Sequence, residues 1–289
     1  MTSAGLLEER GEEGFRESFK RNNFAISYVY FNFKMDIQLI SKDDNKAMLL
    51  LSDVNPVVVN TLRRLIMDEV PVLAVENCEF IKNDSALYDE VVAHRLGLIP
   101  LKTDLKSYDK EEDCKCKGKG CPICQVHLSL RAKGPVTVMA SDLKCRDSKV
   151  KAVFLDMPVV KLLKGQKLEI DMVATLGAGR QHSKWSPALV YYRYYPKLNI
   201  SNAKNPNKAK EACPKNVFDV KDSKLVIKNL EACDLCEECV KYGVTVEGKE
   251  DEIIMFIESW GQLKLKEILT SAIEIFEKKI NQLDKELKD

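Results

Sequence analysis

Two groups of four cysteines constrain this chain more than any other feature of its sequence. The first group, at 114–124, has the pattern C-x-C-x4-C-P-x-C. The second combines C-x2-C-x2-C at 233–239 with the distant Cys213, which precedes a proline. Thiolates at such spacings are good ligands for zinc and for iron–sulfur clusters. A segment that is ordered by a bound metal can fold without a large hydrophobic core.

The second group matches half of a bacterial-type ferredoxin pattern. That pattern contains C-x2-C-x2-C-x3-C-P twice, and the fourth cysteine of each run binds the cluster of the other run. All ligands of one cluster are present, at Cys213, Cys233, Cys236 and Cys239. All ligands of the other cluster are replaced, by Ala203, Pro206, Ala209 and Gly243. We therefore predict one iron–sulfur cluster, [4Fe–4S] in preference to [3Fe–4S], with zinc on the same four thiols as the alternative.

The first group predicts a zinc site. Cys114, Cys116, Cys121 and Cys124 lie in a loop that is rich in Lys and Gly and has no apolar periodicity. Four thiolates in two short pairs can surround one zinc ion, and metal binding then orders the loop. Two alternatives stay open, namely a disulfide-bonded loop and His127 in place of one sulfur. We favour His127 as the first residue of the next strand.

The composition is that of a soluble globular protein with two or three domains. Hydrophobic residues make up 45% and charged residues 31% of the chain. The net charge of +1 predicts no direct sequence-specific binding to nucleic acid, and no apolar run is long enough to span a membrane. Ten cysteines without a secretion signal predict metal binding in a reducing cytoplasm.

Residue patterning divides the chain into an extension and several structured segments. Residues 1–34 read as an N-terminal extension, and an initiation site at Met35 is a further possibility. The strand candidates are 36–40, 47–51, 126–130, 136–139, 153–155, 168–174 and 252–259. Residues 72–196 are expected to be rich in β-structure, and the cluster-bearing segment follows.

Two amphipathic helices lie at opposite ends of the structured chain. Asn55 as N-cap and Pro56 at the first position predict a helix at 56–68, and Gly261 precedes a second helix that ends near Leu287. Val58, Leu62, Leu65 and Ile66 lie on one face of the first helix, and the second has a long apolar stripe. A dimer interface between such faces would use Val58, Leu62, Leu65, Leu269, Ala272, Phe276 and Ile280.

Four segments resemble the alpha-like subunit family of DNA-directed RNA polymerases, and within it the archaeal members that are designated D. They are 62–71 (LRRLIMDEVP), 92–101 (VAHRLGLIPL), 177–187 (GAGRQHSKWSP) and 256–261 (FIESWG). The resemblance covers residues 35–289. It implies an α+β fold with a discontinuous dimerisation domain (35–72 and 246–289), a β-rich insert domain (73–197) and a ferredoxin-like domain (198–245).

The resemblance also implies a scaffold role in transcription. The archaeal family members pair with the small alpha-like subunit L, recruit subunits N and P, and seat the large catalytic subunit. They contribute no catalytic residues to the nucleotidyltransferase. Three histidines in the whole chain fit that expectation, and we expect Arg95 to bind a partner carboxylate and His94 to pack. The alternative function is a ferredoxin-like electron-transfer or redox protein.

Overall fold

A computed structural model describes residues 35–117 and 119–288. The predictions for residues 1–34 lie outside this range. The described residues contain four sheets, two with four strands and two with two strands. Among these residues, no helix combines the length and apolar character that crossing a membrane requires.

The first sheet is built from strands at both ends of the described chain. Its strands, in the order β1-β2-β12-β9, are β1 (Asp36–Lys42), β2 (Lys46–Ser52), β12 (Thr245–Ser259) and β9 (Ala188–Asn199). Strand β12 is antiparallel to both neighbours, with Met255 opposite Leu49 on β2 and Tyr192 on β9. Its Ile253 and Ile254 point to opposite faces, and both are completely buried. The predicted strand at 252–259 is therefore confirmed as part of a longer strand.

Two helices pack beside this sheet. Helix α1 (Pro56–Asp68) begins as predicted, because the side chain of Asn55 accepts a hydrogen bond from Val57 N–H at 2.8 Å. The long helix, Leu265–Glu286, makes contact with α1 and with β12. Glu267 caps this helix by accepting a hydrogen bond from Lys264 N–H at 2.9 Å.

The second sheet forms the largest apolar core. Its strands, in the order β3-β8-β4-β6, are β3 (Val72–Asn83), β8 (Lys167–Gly177), β4 (Gln125–Lys133) and β6 (Lys144–Cys145). A separate ribbon pairs β5 (Val136–Met139) with β7 (Pro158–Leu162), and helix α2 (Asp89–Gly97) contacts β3 and β7. Leu130 and Ile170 pair across β4 and β8 and are fully buried.

The predicted strand at 153–155 is wrong. Val153 N–H donates to the carbonyl of Pro100, whereas the Leu155 carbonyl accepts from Ser141. Successive backbone groups therefore bond to different segments and form no ladder. Phe154 and Leu155 are exposed, so their apolar character does not mark a buried strand.

The third region contains the cysteines of the second group. Helix α3 (Pro206–Ala212) is followed by a hairpin of β10 (Phe218–Lys221) and β11 (Lys224–Ile227). Short 3-10 turns at Leu230–Ala232 and Val240–Tyr242 flank the C-x2-C-x2-C run. A small core contains Ala209, Val217, Phe218, Leu225 and Val244 together with three cysteines.

Candidate metal centres

The loop at 114–124 brings its four thiols to one point. Sγ–Sγ distances are 3.5 Å for Cys114–Cys121, 3.5 Å for Cys116–Cys124 and 3.7 Å for Cys121–Cys124. All four sulfurs lie within 4.8 Å of one another. Among the described residues, no other group of His, Cys, Asp or Glu ligand atoms is gathered so tightly. This four-cysteine group could bind a metal ion.

The size of the group fits a single tetrahedral ion. Zinc–sulfur bonds of about 2.3 Å place the sulfurs of a tetrahedron about 3.8 Å apart, close to the separations here. The same separations are longer than an S–S bond of about 2.05 Å. His127 is the third residue of β4, not the first, and its side chain is exposed and outside the four-sulfur group.

Backbone turns hold the loop in this shape. Lys117 N–H donates to the Cys114 carbonyl at 3.0 Å, and Cys124 N–H donates to the Cys121 carbonyl at 3.0 Å. Each short pair of cysteines is thus attached to its own turn. Cys124 directly precedes Gln125, the first residue of β4, so the sheet fixes one end of the loop.

The thiol of Cys124 resists ionisation while the loop carries no metal. Burial, together with the neighbouring sulfurs of Cys116, Cys121 and Cys114, raises the pKa of Cys124 to about 12, and a hydrogen bond with the Cys121 backbone opposes this rise. Four adjacent thiolates would repel one another in a partly buried site. A cation that takes the place of the protons removes this repulsion.

The thiols of the second group lie in one region of the fold, but they are not gathered as tightly as the four at 114–124. Cys213 ends α3, Cys233 follows the turn at Leu230–Ala232, and Cys239 precedes the turn at Val240–Tyr242. These three are buried, whereas Cys236 is exposed. Burial, together with the nearby sulfurs of Cys233, Cys213 and Cys236, raises the pKa of Cys239 to about 11, and a backbone hydrogen bond opposes this rise. The electrostatic environment of Cys239 therefore includes the other three thiols.

The backbone around these thiols offers hydrogen bonds to sulfur. Val217 N–H donates to Cys213 Sγ at 3.4 Å. The N–H of Leu235 donates to the Cys233 sulfur and opposes the rise of its pKa that burial causes. Leu235 and Glu237 have φ angles of 58° and 61°, a conformation that costs free energy for residues with a Cβ. Backbone N–H groups therefore point at two of the four sulfurs, those of Cys213 and Cys233.

Two of the four replaced ligand positions are closely packed, and the other two, Ala203 and Pro206, are half-buried. Ala209 is completely buried. Gly243 has a φ angle of 87°, and a Cβ at this position would collide with the carbonyl of Asn202. At Gly243, therefore, the backbone of the neighbouring segment leaves no room for a cysteine side chain.

The predicted interface residues separate into buried and accessible ones. Leu65 and Ala272 are buried within the chain itself, so their assignment to a partner interface needs correction. The buried valine of α1 is Val59, whereas Val58 is exposed. Leu62, Leu269 and Ile280 are half-buried, and Phe276 is 40% exposed. The apolar stripe continues through exposed residues to Leu283 and Leu287.

The expectation that His94 packs was wrong, because its side chain is exposed on α2. Arg95 is exposed on the same helix and donates to the backbone carbonyl of Val159 at 2.8 Å. The arginine therefore joins α2 to β7 within the chain. Its bond to a partner carboxylate stays a prediction. Two glycines of the segment 177–187 lie where a side chain has no room, because a Cβ on Gly177 would collide with Trp185 and one on Gly179 with the carbonyl of Met67.

Comparison with known proteins shows the family to which the chain belongs. Residues 78–188 match the model described as the RNA polymerase Rpb3/RpoA insert domain. DNA-directed RNA polymerase subunit Rpo3 of Methanosphaera stadtmanae is 36% identical over 263 residues, which cover 86% of this chain and 97% of that protein. The chain belongs to the Rpo3 family. Rpo3 of Methanothermobacter thermautotrophicus is 38% identical and that of Archaeoglobus fulgidus 34%, each with the same coverage.

Membership of the Rpo3 family supports the resemblance to alpha-like polymerase subunits and gives no support to the redox alternative. Sequence reasoning missed two residues beside the cysteines of the second group. Arg193 on β9 donates to the carbonyl of Glu231, and Leu235 packs near Gly248 of β12. Arginine and leucine are not metal ligands, so no ligand-spacing motif could have indicated these two residues.

Proposed function

We propose that this chain is a non-catalytic assembly subunit of DNA-directed RNA polymerase, equivalent to the archaeal alpha-like subunits that are designated D. The observation that carries the proposal is the 36% identity to an Rpo3 subunit across 97% of that protein. As an assembly subunit, the chain would pair with the small alpha-like subunit L, contact subunits N and P, and seat the large catalytic subunit in the cytoplasm.

The proposed dimerisation domain combines residues 35–72 with 246–289, and the insert domain (73–197) and the cluster domain (198–245) lie between its two halves. Strand β12 pairs with β2, and α1 contacts the long helix, so the two halves contact each other. The proposed contact with subunit L uses Val58, Leu62, Leu269, Phe276 and Ile280. Exposed apolar side chains that continue to Leu283 and Leu287 support an interface here.

The proposed metal at 114–124 is zinc. Cys114, Cys116, Cys121 and Cys124 would hold it as thiolates, with no position left for a substrate or water. A closed site of this kind is structural. Its binding free energy would order the loop that precedes β4.

The proposed cofactor at the second group is one iron–sulfur cluster on Cys213, Cys233, Cys236 and Cys239. The cluster would supply cross-links between the end of α3 and the loop at 233–239. The surrounding core contains few large apolar residues. Because a small core gives little stability by itself, we assign the cluster a structural role in assembly.

The test is assembly with polymerase subunits. Phe276→Asp places a charge in the proposed interface and should abolish co-purification with subunit L and the large subunits. Leu163→Asp is the matched control, because Leu163 is an exposed leucine next to β7, far in sequence from the interface. Undiminished co-purification of Phe276→Asp, in a variant that folds like the parent chain, would refute the proposed interface.

A further inference from the structure

Arg193 contacts both the first sheet and the segment that leads into the cysteine loop. It lies on β9, opposite Ile254 of β12. Its guanidinium carbon is 4.8 Å from the ring centre of Phe256, which stacks on Tyr191 at 4.7 Å. An Nη group donates to the carbonyl of Glu231, two residues before Cys233. One side chain therefore connects the sheet to the loop that carries three of the four predicted ligands.

The positive charge of Arg193 is incompletely compensated by the described residues. Its Nε is buried and has no hydrogen-bond partner among them. Burial lowers the pKa of Arg193, while Tyr191, Asp234 and Cys233 act in the opposite direction. The carboxylate of Asp234 also lies 3.9 Å from Nζ of Lys215, so its negative charge is shared between Lys215 and Arg193. A buried donor without a partner is costly, and an anionic group beside it would remove that cost.

An iron–sulfur cluster with four thiolate ligands is such an anionic group, because its net charge is negative. One-electron reduction makes this charge more negative. A guanidinium in a partly buried site is screened less by water and salt than an exposed ammonium would be. The electrostatic stabilisation of the anionic cluster should therefore be larger from Arg193 than from the exposed Lys215.

We infer that Arg193 is the counter-charge and positioning residue of the iron–sulfur cluster, and that it stabilises the bound cluster and above all its reduced form. This inference rests on the cluster site that is proposed above. Arg193 acts through its charge on the cluster and through its hydrogen bond to Glu231, and it is not a ligand. Leu235 of the same loop lies beside Gly248 of β12, since its Cδ1 is 3.3 Å from where a Cβ on Gly248 would lie, and this proximity does not involve Arg193. Loss of the arginine should therefore weaken the site without detaching the loop.

The experiment compares anaerobically purified full-length variants with the parent chain. Arg193→Met removes the charge and the hydrogen bond, Arg193→Lys keeps the charge, and Lys215→Met is the control for an exposed cation. Iron and sulfide are measured per chain. The reduction potential is measured by titration with dithionite under electron paramagnetic resonance. Dithionite gives one electron to each cluster and is oxidised to sulfite, and no iron–thiolate bond breaks.

We expect Arg193→Met to shift the reduction potential to a more negative value and to shorten the half-life of the cluster in air several-fold. Lys215→Met should match the parent chain in both. Arg193→Lys should keep the parent potential, while amide hydrogen exchange at 230–242 becomes faster because the bond to Glu231 is lost. The lysine variant also tests the positioning role if Arg193→Met fails to fold, and unchanged exchange would overturn that role.

The outcomes separate this inference from the proposal beneath it. A parent chain without iron and sulfide would refute the cluster itself. A parent chain with a cluster, together with an Arg193→Met variant of equal potential and half-life, would refute the role of Arg193 alone.

Discussion

The carboxylate of Glu69, just after α1, accepts a hydrogen bond from Nζ of Lys279 at 2.8 Å, although the two residues are 210 positions apart in sequence. Arg180 forms a second ion pair with the same carboxylate. Glu69 thereby connects the end of α1 to the long helix and to the segment after β8. Its side chain is 17% exposed, and this partial burial reduces screening by solvent.

Glu69→Gln should lower the free energy of unfolding by about 1 kcal/mol at low salt and by less at high salt. Urea unfolding at two ionic strengths measures the effect. Glu258→Gln is the control, because Glu258 forms a single exposed pair with Lys46 at 3.0 Å. Equal losses in the two variants would contradict the special role of Glu69.

Replacement of Cys121 and Cys124 by Ser should release one zinc per chain and loosen the loop at 114–124, with little effect on the contact between α1 and the long helix. Metal analysis and limited proteolysis measure the two effects. Cys78→Ser is the matched control, since Cys78 lies on β3 outside both cysteine groups. A parent chain without zinc, whose four thiols are readily alkylated, would rule out this site.

The zinc-free protein should lose stability as the pH rises from 9 to about 12. The folded-state pKa of Cys124 is raised from 9.0 to about 12, so the protonated thiol favours the folded state below pH 9, and this contribution disappears above the folded pKa. Zinc binding displaces these protons, so zinc affinity should increase with pH. Thermal unfolding across this pH range, with and without zinc, distinguishes the zinc-free from the zinc-bound protein. Identical pH profiles of the two would contradict the assignment of the pH dependence to Cys124.

Replacement of Cys233 and Cys236 by Ser should remove the cluster iron, make 198–245 sensitive to protease and reduce incorporation into polymerase. Cross-links that close a span of about twenty residues contribute about 3 kcal/mol in the chain-entropy model. Activity per assembled enzyme should stay unchanged. If iron is lost while the segment stays resistant and assembly is normal, the cluster has a role other than a structural one.

Gly179→Ala should destabilise the chain by about 3 kcal/mol, because the added Cβ would collide with the backbone carbonyl of Met67. Gly165→Ala is the informative control. A Cβ there meets no atom within 4 Å, but the φ angle of 89° still makes alanine unfavourable by about 1 kcal/mol. A loss at Gly179 no larger than the loss at Gly165 would contradict the predicted collision with Met67.

The helices at the chain ends could be predicted because their signals are local. Asn55 and Pro56 define the start of α1 by capping, and the apolar stripe of the long helix has the helical period. Helix α2 was missed, although acidic residues in its first turn and basic ones in its last turn were available signals. Only Val92, Leu96 and Gly97 of this short helix are buried, so its apolar period is weak.

The candidate sites were predictable in their ligands but not in their surroundings. Cysteine spacing is visible in the sequence, and the structure places the sulfurs of 114–124 within 4.8 Å of one another. The position of Arg193 beside Glu231 depends on the pairing of β9 with β12, a long-range contact that periodicity does not reveal. Burial of Leu65 and Ala272 likewise depends on tertiary packing.

The place of β12 in the first sheet has a consequence for the order of events during translation. Strand β2 is synthesised about two hundred residues before its partner β12, which pairs with it from Glu252↔Ser52 to Glu258↔Lys46. Until the ribosome has released that part of the chain, one edge of β2 stays without its final partner, and an open edge is where strands of different chains associate. Strand β3 waits for a shorter stretch of chain, because its partner β8 begins at Lys167. The sheet that begins the described chain is therefore completed last, and nascent chains that stop before residue 252 should be especially prone to aggregation.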